Sequence, residues 1–283
     1  MQQLAVFQSL WGMESLPGDK ASWSLEQKLQ KVVEASFDGV NLEDDDPEAV
    51  RAIEILRDLG LAWSVTTFPT TVSELHTTID FVDRVGRDGF DHVNLQPNVR
   101  PATALEGIPY VLGWIEAAEE TGVELFIETH RDRMTTDLHY TLQLIDAVPS
   151  LRLTADLSHF VVGREFRLPI SEDDDALIMR ILDRTEAFHG RVASREQIQV
   201  QLAFPHQQEW VAVFMRWWEE GFRRWRMRAA PDATLNFLIE LGPPSYAITG
   251  PDGHELSDRW DEALELKRMV RAAWGRLDEE ARD

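Results

Sequence analysis

The sequence predicts an α/β fold, a single (β/α)8 barrel, and three observations carry that reading. Short apolar, β-branched runs alternate with longer stretches whose apolar residues recur at helical spacing. Eight such pairs fit within 283 residues, near the roughly 250 residues of a barrel of this kind. The runner-up, a doubly wound open sheet, calls for a glycine-rich phosphate turn after its first strand, and Leu10-Trp11-Gly12-Met13 is not one.

The eight strand-like runs are residues 4–10, 39–42, 61–68, 92–95, 123–127, 151–155, 188–193 and 235–241. Strands alternating with helices imply a parallel sheet with right-handed crossovers. The second run leads into a helix that opens at Pro47 and carries Ala49, Val50, Ala52, Ile53, Ile55 and Leu56. Proline suits the first helical turn, and Gly60 suits the C-terminal cap. A later helix over residues 108–121 closes at Gly122, and the last, near 258–280, sets Leu264, Leu266, Met269, Val270 and Trp274 among charges. Phe214, Trp217, Trp218, Phe222 and Trp225 lie at helical spacing and read as core or subunit contacts. The acidic runs 43–46 and 172–175 precede helices, where negative charge complements the helix dipole; Glu43 is the exception, a carboxylate at a strand end. No linker divides the chain, so residues 1–283 read as one domain.

Composition excludes several functions. The 43% apolar and 28% charged residues are a globular balance. The absence of cysteine removes disulfides, thiolate metal sites, iron–sulfur clusters and cysteine nucleophiles. A formal charge of −22 argues against nucleic acid as a partner, and against an anionic membrane surface. The N-terminus has no basic segment followed by an apolar one, and no run is long enough to span a bilayer, so the expected compartment is the cytoplasm. Only four of the 28 basic residues are lysines, a bias that a GC-rich genome explains most simply.

In a barrel of this type, catalytic groups stand at the C-terminal ends of the strands. The last four strand segments each carry one potential metal ligand: Glu128, Asp156, His189 and Glu240. Charges placed after apolar strands are costly to bury unpaired. Four converging at one barrel mouth call for a cation. Three carboxylates and one imidazole make a hard, oxygen-rich site, which favours Mn2+, with Mg2+, Co2+ or Zn2+ as substitutes. A divalent ion would leave that set at −1.

These residues resemble the xylose-isomerase-like TIM-barrel superfamily, the sugar isomerase and epimerase group that also contains the endonuclease IV class. The resemblance covers essentially the whole barrel and is strongest from Glu128 to Tyr246. The family takes its metal ligands from strands 5 to 8 in the order Glu, Asp, His, Glu, which map onto Glu128, Asp156, His189 and Glu240. Its Asp-x-x-His element is Asp156-Leu157-Ser158-His159, whose histidine contacts substrate in ketose epimerases. Those epimerases also carry an arginine six residues beyond the strand-7 histidine, the spacing of Arg195. Glu128-Thr129-His130-Arg131, His189-Gly190-Arg191-Val192 and Glu240-Leu241-Gly242-Pro243-Pro244-Ser245-Tyr246 are similar to one subgroup of sugar isomerases or epimerases. Two departures stand out. Ketose epimerases place a second substrate-binding Glu where this chain has Met134, and no His-rich cluster of the three-zinc DNA-repair type follows His189.

The resemblance implies metal-dependent proton transfer at a carbon next to a carbonyl, through a stabilised enediolate. Glu128 and Glu240 would act on opposite faces of that carbon, with His159 as a free proton carrier. Arg191 and Arg195 would orient substrate oxygens and take any carboxylate or phosphate. His130, Glu43, Gln96 and Trp11 are further substrate-binding candidates. Epimerisation, aldose–ketose isomerisation, and elimination by a lyase or hydratase share the first step; a non-catalytic sugar-binding barrel is the remaining reading. The expected partner is a small sugar or sugar derivative, and the expected assembly a homodimer or homotetramer, as in relatives.

Overall fold

Eight parallel strands close into a barrel in chain order: β1 (Gln3–Ser9), β2 (Gly39–Glu43), β3 (Ala62–Thr67), β4 (Phe90–Leu95), β5 (Leu125–Glu128), β6 (Leu153–Ala155), β7 (Thr185–Gly190) and β8 (Thr234–Ile239). The computed structural model describes residues 1–280. Closure is made by β1 against β8, in register from Gln3 opposite Thr234 to Gln8 opposite Ile239. Helices cover the outside: α1 (Leu25–Glu34), α2 (Ala49–Leu59), α3 (Val72–Val85), α4 (Ala104–Thr121), α5 (Leu138–Ala147), a short α6 (Ser158–Gly163), α7 (Glu172–Leu182), α8 (Gln208–Arg228) and α9 (Arg259–Glu280).

Local chemistry sets the helix ends. Ser24, Thr71, Thr103, Asp137 and Ser171 each accept a hydrogen bond from the first turn of the helix they precede. Gly60 and Gly122 close α2 and α4 at φ 68° and 65°, left-handed conformations that favour glycine. The acidic run 172–175 does occupy the first turn of α7. The run 43–46 does not reach α2, whose first turn carries no acid. There Asp46 caps the Glu48 amide, Asp44 accepts from Thr78, and Glu43 ends β2.

The aromatic helix is core. Phe214, Trp217, Trp218 and Phe222 on α8 are fully buried. Trp218 meets Phe237 of β8 edge-on at 5.2 Å, and Phe222 meets Trp274 of α9 at 5.7 Å. Burying each such ring contributes roughly 1.5–3 kcal/mol.

Strand 7 starts three residues earlier than its apolar pattern indicates. Thr185 and Glu186 are polar, yet Thr185 Oγ1 donates to the Ile181 carbonyl and Glu186 accepts from the Trp225 indole at 2.8 Å. This extension puts His189 near the C-terminal end of β7, at the active-face level. Gly190 follows it because a Cβ there would lie 2.3 Å from the Phe237 ring.

Candidate metal centre

The barrel interior above the apolar layer is polar, and its hydrogen bonds run toward Glu128. Asn41 of β2 donates to Ser64 and accepts from Thr66 on β3. Asn94 of β4 then donates to Thr66 at 3.3 Å and to Glu128 Oε2 at 2.6 Å. One oxygen of Glu128 is thereby fixed. The other, Oε1, is buried and has no hydrogen-bond partner. Asp156 is arranged the same way. Its Oδ1 accepts from the Ser158 amide and hydroxyl, while Oδ2 is buried without a hydrogen bond.

His189 and Glu240 complete the group. His189 Nδ1 lies 3.1 Å from Glu240 Oε2 and 3.5 Å from Glu128 Oε1. One ligand atom from each of Glu128, Asp156, His189 and Glu240 can be chosen so that all four lie within 4.8 Å of one another. The buried cluster can therefore bind a metal ion. Glu128 Oε1 and Asp156 Oδ2 make no hydrogen bond and only longer charge contacts, to His189 at 3.5 Å and to His159 and Arg191 at 3.4 and 3.8 Å, which leaves them available to a divalent cation.

Arg191 is bound into this centre and also lines the cavity above it, where its Nη1 has no partner. Its guanidinium is fully buried, donates through Nη2 to Glu240 Oε2 at 2.5 Å, and donates through Nε to the Glu240 carbonyl at 3.0 Å. It adds one positive charge, so the set expected at −1 with a divalent ion becomes neutral. The protonation states follow from the same crowding. Burial opposes the charge on His189, but Glu128 and Glu240 overcome it and raise the imidazole to about 10. Burial likewise opposes ionisation of Glu128 and Asp156. His189 holds Glu128 well below the usual carboxylate range, and His159, Arg191 and Ser158 do the same for Asp156.

A cavity of about 180 Å3 opens over the centre, lined by Trp11, Glu43, Phe68, Gln96, His130, Arg133, Arg191, Glu240 and Tyr246. Trp11, Glu43, Gln96 and His130 thus line one cavity together. Burial raises Glu43 to about 7, helped by Asp45 and Glu240. His130 donates through Nδ1 to the Arg131 carbonyl, and burial with His159 nearby lowers its pKa to about 3, so its ring is neutral. His159 is fully buried, its ring 3.8 Å from that of His130 and its Nε2 3.4 Å from Asp156 Oδ2. It lies off the cavity wall. Glu128, His130 and His159 form a second grouping that shares Glu128.

Arg195 is not on that wall. It pairs with Glu165 at 2.6 Å and Glu196 at 3.3 Å, in a partly exposed position. The loop after β7 turns it outward, so spacing along the chain does not bring it to the centre. Met134 is buried in the core. Residues that sequence reasoning missed include Asn94, which has no motif around it, and Gln199. The Gln199 amide clamps Gly242 by accepting from its N–H at 2.7 Å and donating to its carbonyl at 3.1 Å. Gly242 must be glycine because a Cβ would meet Trp11 at 2.6 Å and Tyr246 at 2.8 Å. Phe68, Arg133 and Tyr246 were also unassigned. Only Tyr246 lay in a quoted motif.

Comparison with solved structures finds the same fold. A xylose isomerase-like TIM barrel protein from Mycobacterium smegmatis in complex with magnesium superposes with a TM-score of 0.60 at 14% identity, over 95% of this chain and 96% of that one. The probable 3-DHS dehydratase AsbF of petrobactin synthesis in Bacillus anthracis gives 0.56 at 13%, over 94% and 99%. A xylose isomerase domain protein from Planctomyces limnophilus gives 0.52 at 13%, over 98% and 96%. No protein-family model matches the chain, and no curated protein matches it in sequence. The protein has the xylose-isomerase-like TIM-barrel fold. Among the described residues, no helix is long and apolar enough to cross a membrane.

Proposed function

We propose that the protein is a divalent-metal-dependent enzyme that moves a proton at a carbon next to a carbonyl, as a sugar isomerase or epimerase. The observation that carries this reading is the pair of buried, unpartnered oxygens on Glu128 and Asp156, brought together with His189 and Glu240 beneath a polar cavity. Glu128, Asp156, His189 and Glu240 would hold the ion, with Mn2+ or Mg2+ suited to the oxygen-rich set. Bound there, it would supply Lewis-acid polarisation of substrate oxygens.

The protein's own groups divide the remaining work. Of the ligands, Glu240 reaches the cavity, whereas Glu128 is wholly enclosed. Glu43 is the other cavity carboxyl. Its elevated pKa, about 7, lets it both take and return a proton near neutrality. We therefore assign the two proton-handling positions to Glu240 and Glu43, and place Glu128 and His159 behind them as supports for the centre. Arg191 orients Glu240 and cancels charge. Gln96 offers an amide to substrate hydroxyls, and Trp11 a ring face.

The test is a screen of sugars and keto-sugars with Mn2+ in deuterated water, reading isotope uptake and product mass. Mass-neutral conversion with label at a carbonyl α-carbon supports isomerase or epimerase action. Loss of water or an aglycone would move the assignment to a lyase, the activity that the Bacillus anthracis neighbour's description names. Glu240→Gln is expected to abolish uptake while the protein stays folded, and full exchange in that variant would sink the proposal. A purified protein that holds no divalent ion, and melts identically with and without one, would point to a non-catalytic sugar-binding barrel.

A further inference from the structure

The β5–α5 loop carries two arginines, one on the cavity wall and one packed on a wall residue, and neither is in a close pair with a carboxylate. Arg133 lines the wall, with its guanidinium over the Phe68 ring at 5.8 Å. Its Nε is buried and has no hydrogen-bond partner, and Nη1 donates only to the Asp132 carbonyl at 3.0 Å. The nearest carboxylate oxygen, on Asp132, is 3.7 Å away, but Asp132 is 74% exposed and already pairs with Arg100 at 2.9 Å. Arg131 stacks over Tyr246, another wall residue, at 5.0 Å, and makes no ion pair among the described residues. Elsewhere arginines such as Arg195, Arg216 and Arg224 are paired at 2.5–2.7 Å.

The charge balance says what these cations wait for. With a divalent ion, three carboxylates and Arg191, the floor of the cavity is neutral. Arg133 then stands mostly buried on the wall, paired only at 3.7 Å with the exposed Asp132 and not with Glu43 across the cavity, and its buried Nε–H lacks the acceptor that an anion would supply. Arg195 is committed to the surface, and Arg191, although its Nη1 is unpartnered, is held through Nη2 and Nε to Glu240 at the metal-binding floor. We infer that the substrate is an anionic sugar derivative, whose carboxylate or phosphate is held by Arg133 with Arg131 beside it, away from the metal-binding floor. A planar guanidinium with a free Nε–H is suited to accept either oxyanion in a two-bond grip. The inference rests on the proposed reading of the cavity as a metal-dependent active site. It assigns specificity to Arg133 and Arg131.

The test uses the full-length, Mg2+-loaded protein and a matched trio of probes: glycerol, D-glycerate and glycerol 3-phosphate. The Arg133 Nε–Hε resonance is followed by NMR, assigned through Arg133→Gln. D-glycerate, glycerol 3-phosphate or both should shift this resonance, and glycerol should not. Which anion shifts it tells carboxylate from phosphate. Arg133→Gln should weaken that anion's binding by about tenfold, Arg133→Lys should restore part of it, and Arg180→Gln, a surface control on α7 paired with Asp146, should leave it unchanged. The inference is wrong if neither anion moves the signal, if glycerol binds as tightly as its anions, or if Arg133→Gln binds them like the parent. Equilibrium dialysis with Mn2+ on the same samples keeps the two readings apart. Loss of metal binding in the parent protein would overturn the proposed function, whereas retained metal with no anion effect would overturn only the anion site.

Discussion

Metal binding at this centre should expel a proton, and its affinity should climb with pH. In the metal-free protein Glu128 and Glu240 outweigh burial and hold the His189 imidazole protonated up to about pH 10. A cation that takes its nitrogen must displace that proton. Each pH unit below the pKa costs about 1.4 kcal/mol, so the penalty near neutral pH is roughly 3–4 kcal/mol. The association constant for Mn2+ should therefore rise about tenfold per unit between about pH 6.5 and 8.5, with about one proton released per ion. Glu43, raised to about 7 mainly by burial, loses its own proton in the same range and steepens the acidic end. Stability of the metal-free fold should run the other way. A raised histidine pKa gives stabilisation that is complete below the unfolded value near 6.5, and it is lost as pH rises toward about 10. Calorimetric titration with Mn2+ in two buffers of different ionisation enthalpy measures the proton count, and thermal melts follow the stability. A pH-independent affinity with no proton released would show that His189 is not a ligand, and the reasoning would fail at its centre.

Other outcomes follow from single contacts. Asn94→Ala removes the donor that fixes Glu128 Oε2, and should weaken Mn2+ binding by about 10–100-fold in equilibrium dialysis. Gly190→Ala forces a methyl into the Phe237 ring, and should lower stability by about 1–3 kcal/mol or more in chemical denaturation. Trp218→Ala empties a fully enclosed site between α8 and β8, at a cost of about 3–5 kcal/mol by the same measurement. Arg195→Ala breaks surface pairs with Glu165 and Glu196, and should leave metal affinity and isotope uptake unchanged, whereas a drop in uptake would return Arg195 to the substrate site.

Much of the architecture was legible because it depends on local rules. Alternation of apolar runs and helical periods marks eight units, and Gly60 and Gly122 mark helix ends through the conformations only glycine adopts easily. The start of β7 was not legible, since Thr185 and Glu186 are polar and their partners, Ile181 and Trp225, come from neighbouring helices. The four acidic and imidazole residues were visible because each stands at or just beyond the end of an apolar strand. Their support was not. Asn94 and Gln199 are ordinary polar residues until a strand or loop from elsewhere in the chain reaches them.

The sequence by itself determined the barrel and the residues that could meet at its mouth, because strand period and helix capping are encoded within a few neighbouring positions. Only the tertiary structure decided the division of labour among those residues. Closure of β8 on β1 and of β7 on β8 sets Arg191 against Glu240 as well as at the cavity wall. It sets His159 behind His130, and turns Arg195 outward to its surface acids. It leaves Glu43 and Arg133 at the cavity. A side chain's charge acts over a few ångströms in space, and separation along the chain does not fix that distance.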